Sequence, residues 1–180
     1  SAQKGTMALE YELSENLTLG SGLSLKRSQV EDLETDQTFA LVSIPNTLTW
    51  DTRDDLLDPE QGQIINWQCT PYQEVFTGQL SFLKNTLSMR WFHNFSLVSD
   101  LTLALRGKMG NIWGAETHNI PADERYYAGG GGSIRGYPYQ SVGPLKDGDP
   151  LGGSSLLEIS TELRFKWTKT WGTVFFLDAG

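Results

Sequence analysis

The sequence predicts an all-β fold, the wall of a transmembrane antiparallel β-barrel, on three observations. Apolar residues recur with a period of two rather than 3.6 almost wherever a period can be read. The connections between runs alternate, shorter after the first, third, fifth and seventh and longer after the second, fourth and sixth, as in barrels with short turns on one side of a membrane. Tryptophans sit at the ends of runs, at Trp50, Trp91, Trp113, Trp167 and Trp171, where a ring can lie at headgroup level. The apolar face of each strand is then expected to meet lipid and the polar face a watery interior.

The elements follow in order. Met7, Leu9, Tyr11 and Leu13 share one face of a first strand, and a short turn at 14–16 follows. Leu17, Leu19, Leu23 and Leu25 share a face of the second, which leads into a polar connection over 27–37. A third strand over 39–50 aligns Ala40, Val42, Ile44, Leu48 and Trp50, with Pro45 marking an irregularity. The segment 51–62 reads as a turn, and Ile65, Trp67 and Cys69 align in a fourth strand over 63–70. A fifth strand over 75–91 changes phase, from Phe76, Leu80 and Phe82 to Leu83, Leu87, Met89 and Trp91, which a β-bulge at 82–85 would explain. Leu101, Leu103, Leu105 and Met109 define the sixth. A loop over about 111–155 carries more than half of the 19 glycines, and its length marks it as functional or disordered. Leu157, Ile159, Leu163, Phe165 and Trp167 define the seventh strand, and Trp171, Phe175 and Leu177 the eighth.

Composition narrows the function classes. The 180 residues hold 22 acidic and 14 basic side chains, a formal charge of −8, which argues against a nucleic-acid partner. No stretch approaches the roughly 18 uninterrupted apolar residues of a helical span. Cys69 is the single cysteine, so neither an internal disulfide nor a cysteine zinc site is available; it falls on the lipid-facing phase and reads as a small hydrophobe. His93 and His118 leave little for a metal cluster. The start, Ser-Ala-Gln-Lys-Gly-Thr, carries no secretory signal, so either a signal was removed or the chain is an internal piece. The glycines at 129–132 lack phosphate-loop spacing, and the acidic segment Asp51, Asp54, Asp55, Asp58 and Glu60 lacks the glycine and terminal glutamate of an EF-hand. Glu158, Glu162, Asp178, Arg106, Arg164 and Lys166 could form an enzyme's acid, base and anion cradle, but a watery interior explains them without catalysis. The expectation is therefore no enzyme, no catalytic residue, no cofactor and no metal. By alternation Glu162 and Asp178 face the interior on neighbouring strands of one hairpin, and two carboxylates so placed need a cation.

Three segments carry a family resemblance. The run Ser133-Ile134-Arg135-Gly136-Tyr137 resembles the (Val/Ile)-Arg-Gly-(Phe/Tyr) loop motif of the bacterial outer-membrane protein assembly-factor superfamily, the BamA, TamA and FhaC type also called the bacterial surface antigen barrel. Phe176, Asp178 and Gly180 are similar to its F-x-D-x-G wall motif. Asp51, Arg53 and Asp54 with Pro59 and Gly62 resemble its turn motif. The wording from Tyr126-Tyr127-Ala128-Gly129-Gly130 to Gly143-Pro144 is most similar to the TamA branch. The resemblance implies a sixteen-stranded barrel preceded by POTRA domains. Residues 1–180 would then be a partial barrel domain holding strands six to thirteen, with the POTRA domains, the closing strands and the seam outside it. It implies that Arg135 folds inward to meet Asp178 and Glu162, with Gly136 and the preceding glycines letting the backbone pass close to the wall. It further implies a factor in the outer membrane of a Gram-negative bacterium that inserts or secretes β-barrel or autotransporter-type clients without nucleotide hydrolysis. Its partners would be outer-membrane lipid, unfolded client proteins and, through the POTRA domains, a TamB-like periplasm-spanning protein. The alternatives are a two-partner-secretion transporter or passive channel, and a soluble ligand-binding β-domain.

Overall fold

Each run of alternating residues becomes a strand paired with its neighbours, in a computed structural model that describes residues 2–32, 35–76, 78–95, 101–168 and 170–180, without the side chains of 2, 28–32 and 35–37. The strands are β1 (Ala2–Ser14), β2 (Leu17–Asp32), β3 (Thr35–Ser43), β4 (Asn46–Asp51), β5 (Gly62–Glu74), β6 (Ser81–Phe95) and β7 (Leu101–Trp113), then β8 (Leu145–Lys146), β9 (Asp149–Pro150), β10 (Ser155–Lys166) and β11 (Gly172–Ala179). Nine of them form one sheet in the order β1-β2-β3-β5-β6-β7-β10-β11, with β4 between β2 and β5; β8 and β9 form a separate small hairpin. All pairs are antiparallel. Taking β3 and β4 as one interrupted strand, the chain crosses the sheet eight times, as alternation predicts.

The two faces are the reverse of a water-soluble sheet. Leu9, Leu25, Met109, Leu157, Ile159, Phe175 and Leu177 are exposed on the outer face. Ser24, Thr70, Thr102, Glu158 and Ser160 are buried on the inner face. The cover is the loop after β7, which is ordered rather than loose. It makes 3₁₀ turns at Thr117–Asn119 and Ala122–Glu124 and bridges Tyr126 to Gly153 and Ala128 to Val142. Ile120 and Tyr126 from the loop join Leu41, Phe82 and Ile112 from the wall in a buried apolar cluster, so the molecule's core lies between wall and loop.

Several boundaries differ from the sequence reading. The expected polar connection 27–37 is mostly strand, since β2 runs to Asp32 and β3 starts at Thr35; residues 33 and 34 lie outside the described residues. Ladder hydrogen bonds are made by backbone, so strands can continue into water after their apolar side chains stop. With that connection shortened, the alternation of lengths reduces to one long loop. The phase change in the expected fifth strand is a hairpin turn instead of a bulge: β5 ends at Glu74, β6 begins at Ser81, and their pairing from Gly62↔Phe92 to Gln73↔Ser81 has no slip. The Glu74 carboxylate shapes this turn by accepting the Phe76 and Gly78 amides at 2.9 and 3.0 Å; Thr77 lies outside the described residues. A register shift occurs in β1 instead, between Glu12 and Ser14. Pro45 does interrupt its strand, and its carbonyl accepts the Gly22 amide at 3.0 Å. Cys69 faces outward, on the expected phase, paired with Asn46 and Asn85, with the Trp67–Leu48 and Trp67–Leu87 pairs in the adjoining row. The turns at 96–100 and at Lys169 fall outside the described residues.

Candidate functional site: the seat of the loop on the wall

Arg135 reaches from the loop to the hairpin β10–β11, whose register sets Ser160 opposite Asp178 and Glu162 opposite Phe176. Its Nε and Nη2 donate to the two oxygens of Asp178 at 2.7 Å each, and its backbone amide donates to the same carboxylate at 2.9 Å. Nη1 donates to Glu162 at 2.7 Å and Nη2 to the Ser160 hydroxyl at 2.9 Å. That hydroxyl in turn donates to Asp178 at 2.6 Å, and Arg164 holds the other oxygen of Glu162 at 2.8 Å. The guanidinium lies 3.7 Å from the centre of the Phe176 ring. A planar fork is suited to these tasks together: a bidentate carboxylate, a second carboxylate and an aromatic face. The Asp178 hydrogen bond is the largest cause raising the already high pKa of Arg135.

The two motifs also interlock by shape. A Cβ at Gly180 would stand 2.7 Å from the Ile134 side chain, which is itself buried. Gly136 has φ of +88°, a conformation that L side chains rarely adopt, while its Cβ position is open. The close approach expected of the loop glycines is thus made by wall glycines: Gly180 under Ile134, and Gly110, where a Cβ would stand 2.5 Å from the Tyr126 ring. Ser133 bonds Glu158 and the Gly129 amide, and Arg106 donates to the carbonyls of Gly132 and Ser133 at 2.7 and 2.5 Å. Tyr137 is exposed.

A second anchor lies nearer the start of the loop. The buried Glu124 carboxylate receives Lys26 at 2.6 Å, the Tyr72 hydroxyl at 2.9 Å and Lys84 at 3.4 Å, while Lys26 also meets Asp123 at 2.7 Å. Tyr126 donates to the Asn85 carbonyl at 2.6 Å and shares a hydrogen bond with Thr86; burial pushes its phenol pKa up. Arg125 ties the loop to itself through the carbonyls of Ile120 and Leu151.

The turn motif is a separate hydrogen-bonded unit, joined to Arg135 by no hydrogen bond or ion pair among the described residues. Arg53 clasps Asp51 through Nε and Nη2 at 2.9 and 2.7 Å, a hydrogen-bonded pairing that raises the arginine's pKa. Asp54 accepts the amides of Asp55, Glu60 and Gln61, and Asp55 those of Leu57 and Asp58. These backbone hydrogen bonds hold both carboxyls below the usual aspartate range. Pro59 is buried, and Gly62 takes φ of +90° where a side chain would strike the Thr52 carbonyl. Asp58 and Glu60 reach Lys166 at the end of β10, at 2.7 and 2.5 Å. Among the described residues no group of three or more His, Cys, Asp or Glu could hold a metal. His93 stacks on Trp91 on the outer face, and His118 is exposed beside Glu116.

Sequence reasoning named Arg135, Glu162 and Asp178 and placed Arg164 among the interior charges without pairing it to Glu162, but missed Ser160 and the Lys26–Glu124–Tyr72 anchor. The signal for Ser160 was present, since alternation sets it on the inner face one pair from Glu162.

Comparison with known proteins agrees with this architecture. The Omp85 superfamily domain matches residues 2–180. A sorting and assembly machinery component 50 homolog of Xenopus tropicalis is 30% identical over 149 residues, 77% of this chain and 31% of that protein. The outer membrane protein assembly factor BamA of Neisseria meningitidis is 34% identical over 113 residues, 57% of this chain and 14% of that protein. The crystal structure of BamA from Haemophilus ducreyi lacking POTRA domains 1–3 superposes with a TM-score of 0.77 at 15% identity, over 98% of this chain and 41% of that one. The chain thus spans less than half the length of each of these proteins.

Proposed function

The chain belongs to the Omp85 superfamily, and from that premise we propose that it is part of the barrel wall, with its inward loop, of a factor that assembles β-barrel proteins in an outer membrane. The observation that carries the proposal is the seating of Arg135 on Asp178 and Glu162 in a chain of this family, because it fixes the loop to one hairpin of the wall. In this reading Arg135, Glu162, Asp178 and Ser160 brace the wall and touch no client chemically. Client strands would add to an exposed sheet edge elsewhere in the protein, and their own burial in lipid would supply the driving force without nucleotide. The names of the relatives, sorting and assembly machinery and outer membrane protein assembly factor, support assembly over enzyme chemistry.

The narrower readings rest on fewer residues. The wording from Tyr126 to Pro144 supports a TamA-like branch, clients of autotransporter type, a TamB-like partner and a Gram-negative source; the relatives come from both eukaryotes and a bacterium. The partial-barrel extent of 1–180, with POTRA domains and closing strands beyond it, is supported by the share of the BamA structure that it covers. The decisive experiment replaces Arg135 by Ala, and separately Asp178 by Asn, in the full-length protein reconstituted in lipid vesicles. Client insertion is expected to fall without a large stable conductance appearing. Insertion at the unaltered rate in both variants overturns the role of the seat, and a large stable pore in the unaltered protein favours the passive channel.

A further inference from the structure

A cavity of about 250 Å³ opens on the inner face between the turn 52–61 and the loop tip, and its lining includes Arg53, Arg90, Arg106, Arg135 and Arg164 with Glu162. The charges can be accounted for pair by pair. Arg53 is neutralised by Asp51, and Arg135 and Arg164 together by Asp178 and Glu162. Arg106 gives its terminal nitrogens to the carbonyls of Gly132 and Ser133, which accept hydrogen but carry no charge. Arg90 stands directly opposite Arg106 in the β6–β7 register and makes no ion pair or hydrogen bond among the described residues. Two positive charges are therefore left side by side in a chain of net charge −8. Like charges opposed across a ladder destabilise it, and a low-dielectric wall concentrates their field on the cavity.

We propose that this cavity is a binding site for a phosphate-type oxyanion, bridged by Arg90 and Arg106. The residual charge of two matches a phosphate dianion better than a single carboxylate. Guanidinium forks suit phosphate oxygens, and Arg90 and Arg106 line the same cavity. The site faces away from the lipid side of the sheet, so the anion arrives through water, free or as a phosphate ester on a solute. The proposal does not depend on client assembly.

The test uses the full-length protein folded in detergent, titrated calorimetrically with inorganic phosphate, with sodium acetate and with sodium chloride at matched ionic strength. Saturable binding of phosphate alone is expected. Arg90→Gln weakens it by about tenfold or more, the loss of charge-assisted hydrogen bonds. Arg90→Lys, which keeps the charge without the fork, falls between. Without phosphate, Arg90→Gln melts no lower than the unaltered protein, because a repulsion is removed. Absence of saturable phosphate binding, equal binding of acetate, or unchanged affinity in Arg90→Gln would each overturn the site.

Discussion

Arg135 satisfies three acceptors and an aromatic face with one planar cation, so its substitutions separate charge from shape. Removing it leaves Asp178, whose side chain is 2% exposed, without its counter-charge. Because the Arg135 side chain keeps 24% of its exposure, Arg135→Ala is expected to cost about 2–3 kcal/mol rather than the upper end for a fully buried pair. Arg135→Lys should recover only part of this, since an ammonium cannot serve Asp178 bidentately and stack on Phe176. Denaturant unfolding of the full-length protein in detergent reads both, and equal stability of the lysine variant and the unaltered protein contradicts the fork argument. Gly110→Ala tests the shape of the other anchor. The new methyl meets the Tyr126 ring at 2.5 Å, an overpacking of about 1–3 kcal/mol, and limited proteolysis should cut the loop faster. These contacts also show how far a sequence can be read at this scale. Alternation placed Glu162 and Asp178 on one face, but a face is not a partner. Whether Ser160 or Glu162 lies opposite Asp178 depends on register, which the turn between β10 and β11 decides.

The turn 52–61 is the element whose behaviour should depend most directly on acid. Asp54 and Asp55 are ionised acceptors of backbone amides, so their folded pKa values lie below the unfolded value of about 3.9. Their contribution to turn order is fully present above that value and is lost as pH falls through the lower folded values. Amide chemical shifts of Glu60 and Gln61 are expected to hold steady down to about pH 4 and move below it; titration midpoints above 4 contradict this. For strands, element existence was legible because alternation survives at each crossing, as at Leu157 to Phe165. Element ends were not. The ladder past Lys26 is held by backbone while its side chains turn polar, and apolar Phe76 and Leu80 in a turn imitate a strand. The loop was legible as important but not as folded, because its core is shared with Leu41 and Phe82, residues distant in sequence.

At the scale of the whole molecule, an outer face of exposed leucine, isoleucine and phenylalanine requires a lipid solvent. Ile159 is 55% exposed on that face. Ile159→Arg in the full-length protein should lower folding stability in vesicles by about 2–4 kcal/mol if the site lies at the bilayer midplane, whereas the inward Ser88 on β6, which makes no side-chain hydrogen bond among the described residues, tolerates polar exchange far better. Equal costs at the two positions would contradict the assignment of faces. The loop anchors carry a further consequence, one of timing. Lys26 and Glu124 are 98 residues apart, and, outside the loop, the turn contact of Asp58 with Lys166 spans 108. Closing such long circuits is entropically unfavourable until intervening hairpins have shortened them, and contacts of this span form slowly. Neighbouring hairpins should therefore zip first and the loop should dock last. In a refolding time course, resistance of the loop to protease is expected to appear after strand content is complete, so its arrival serves as a clock for the finished wall.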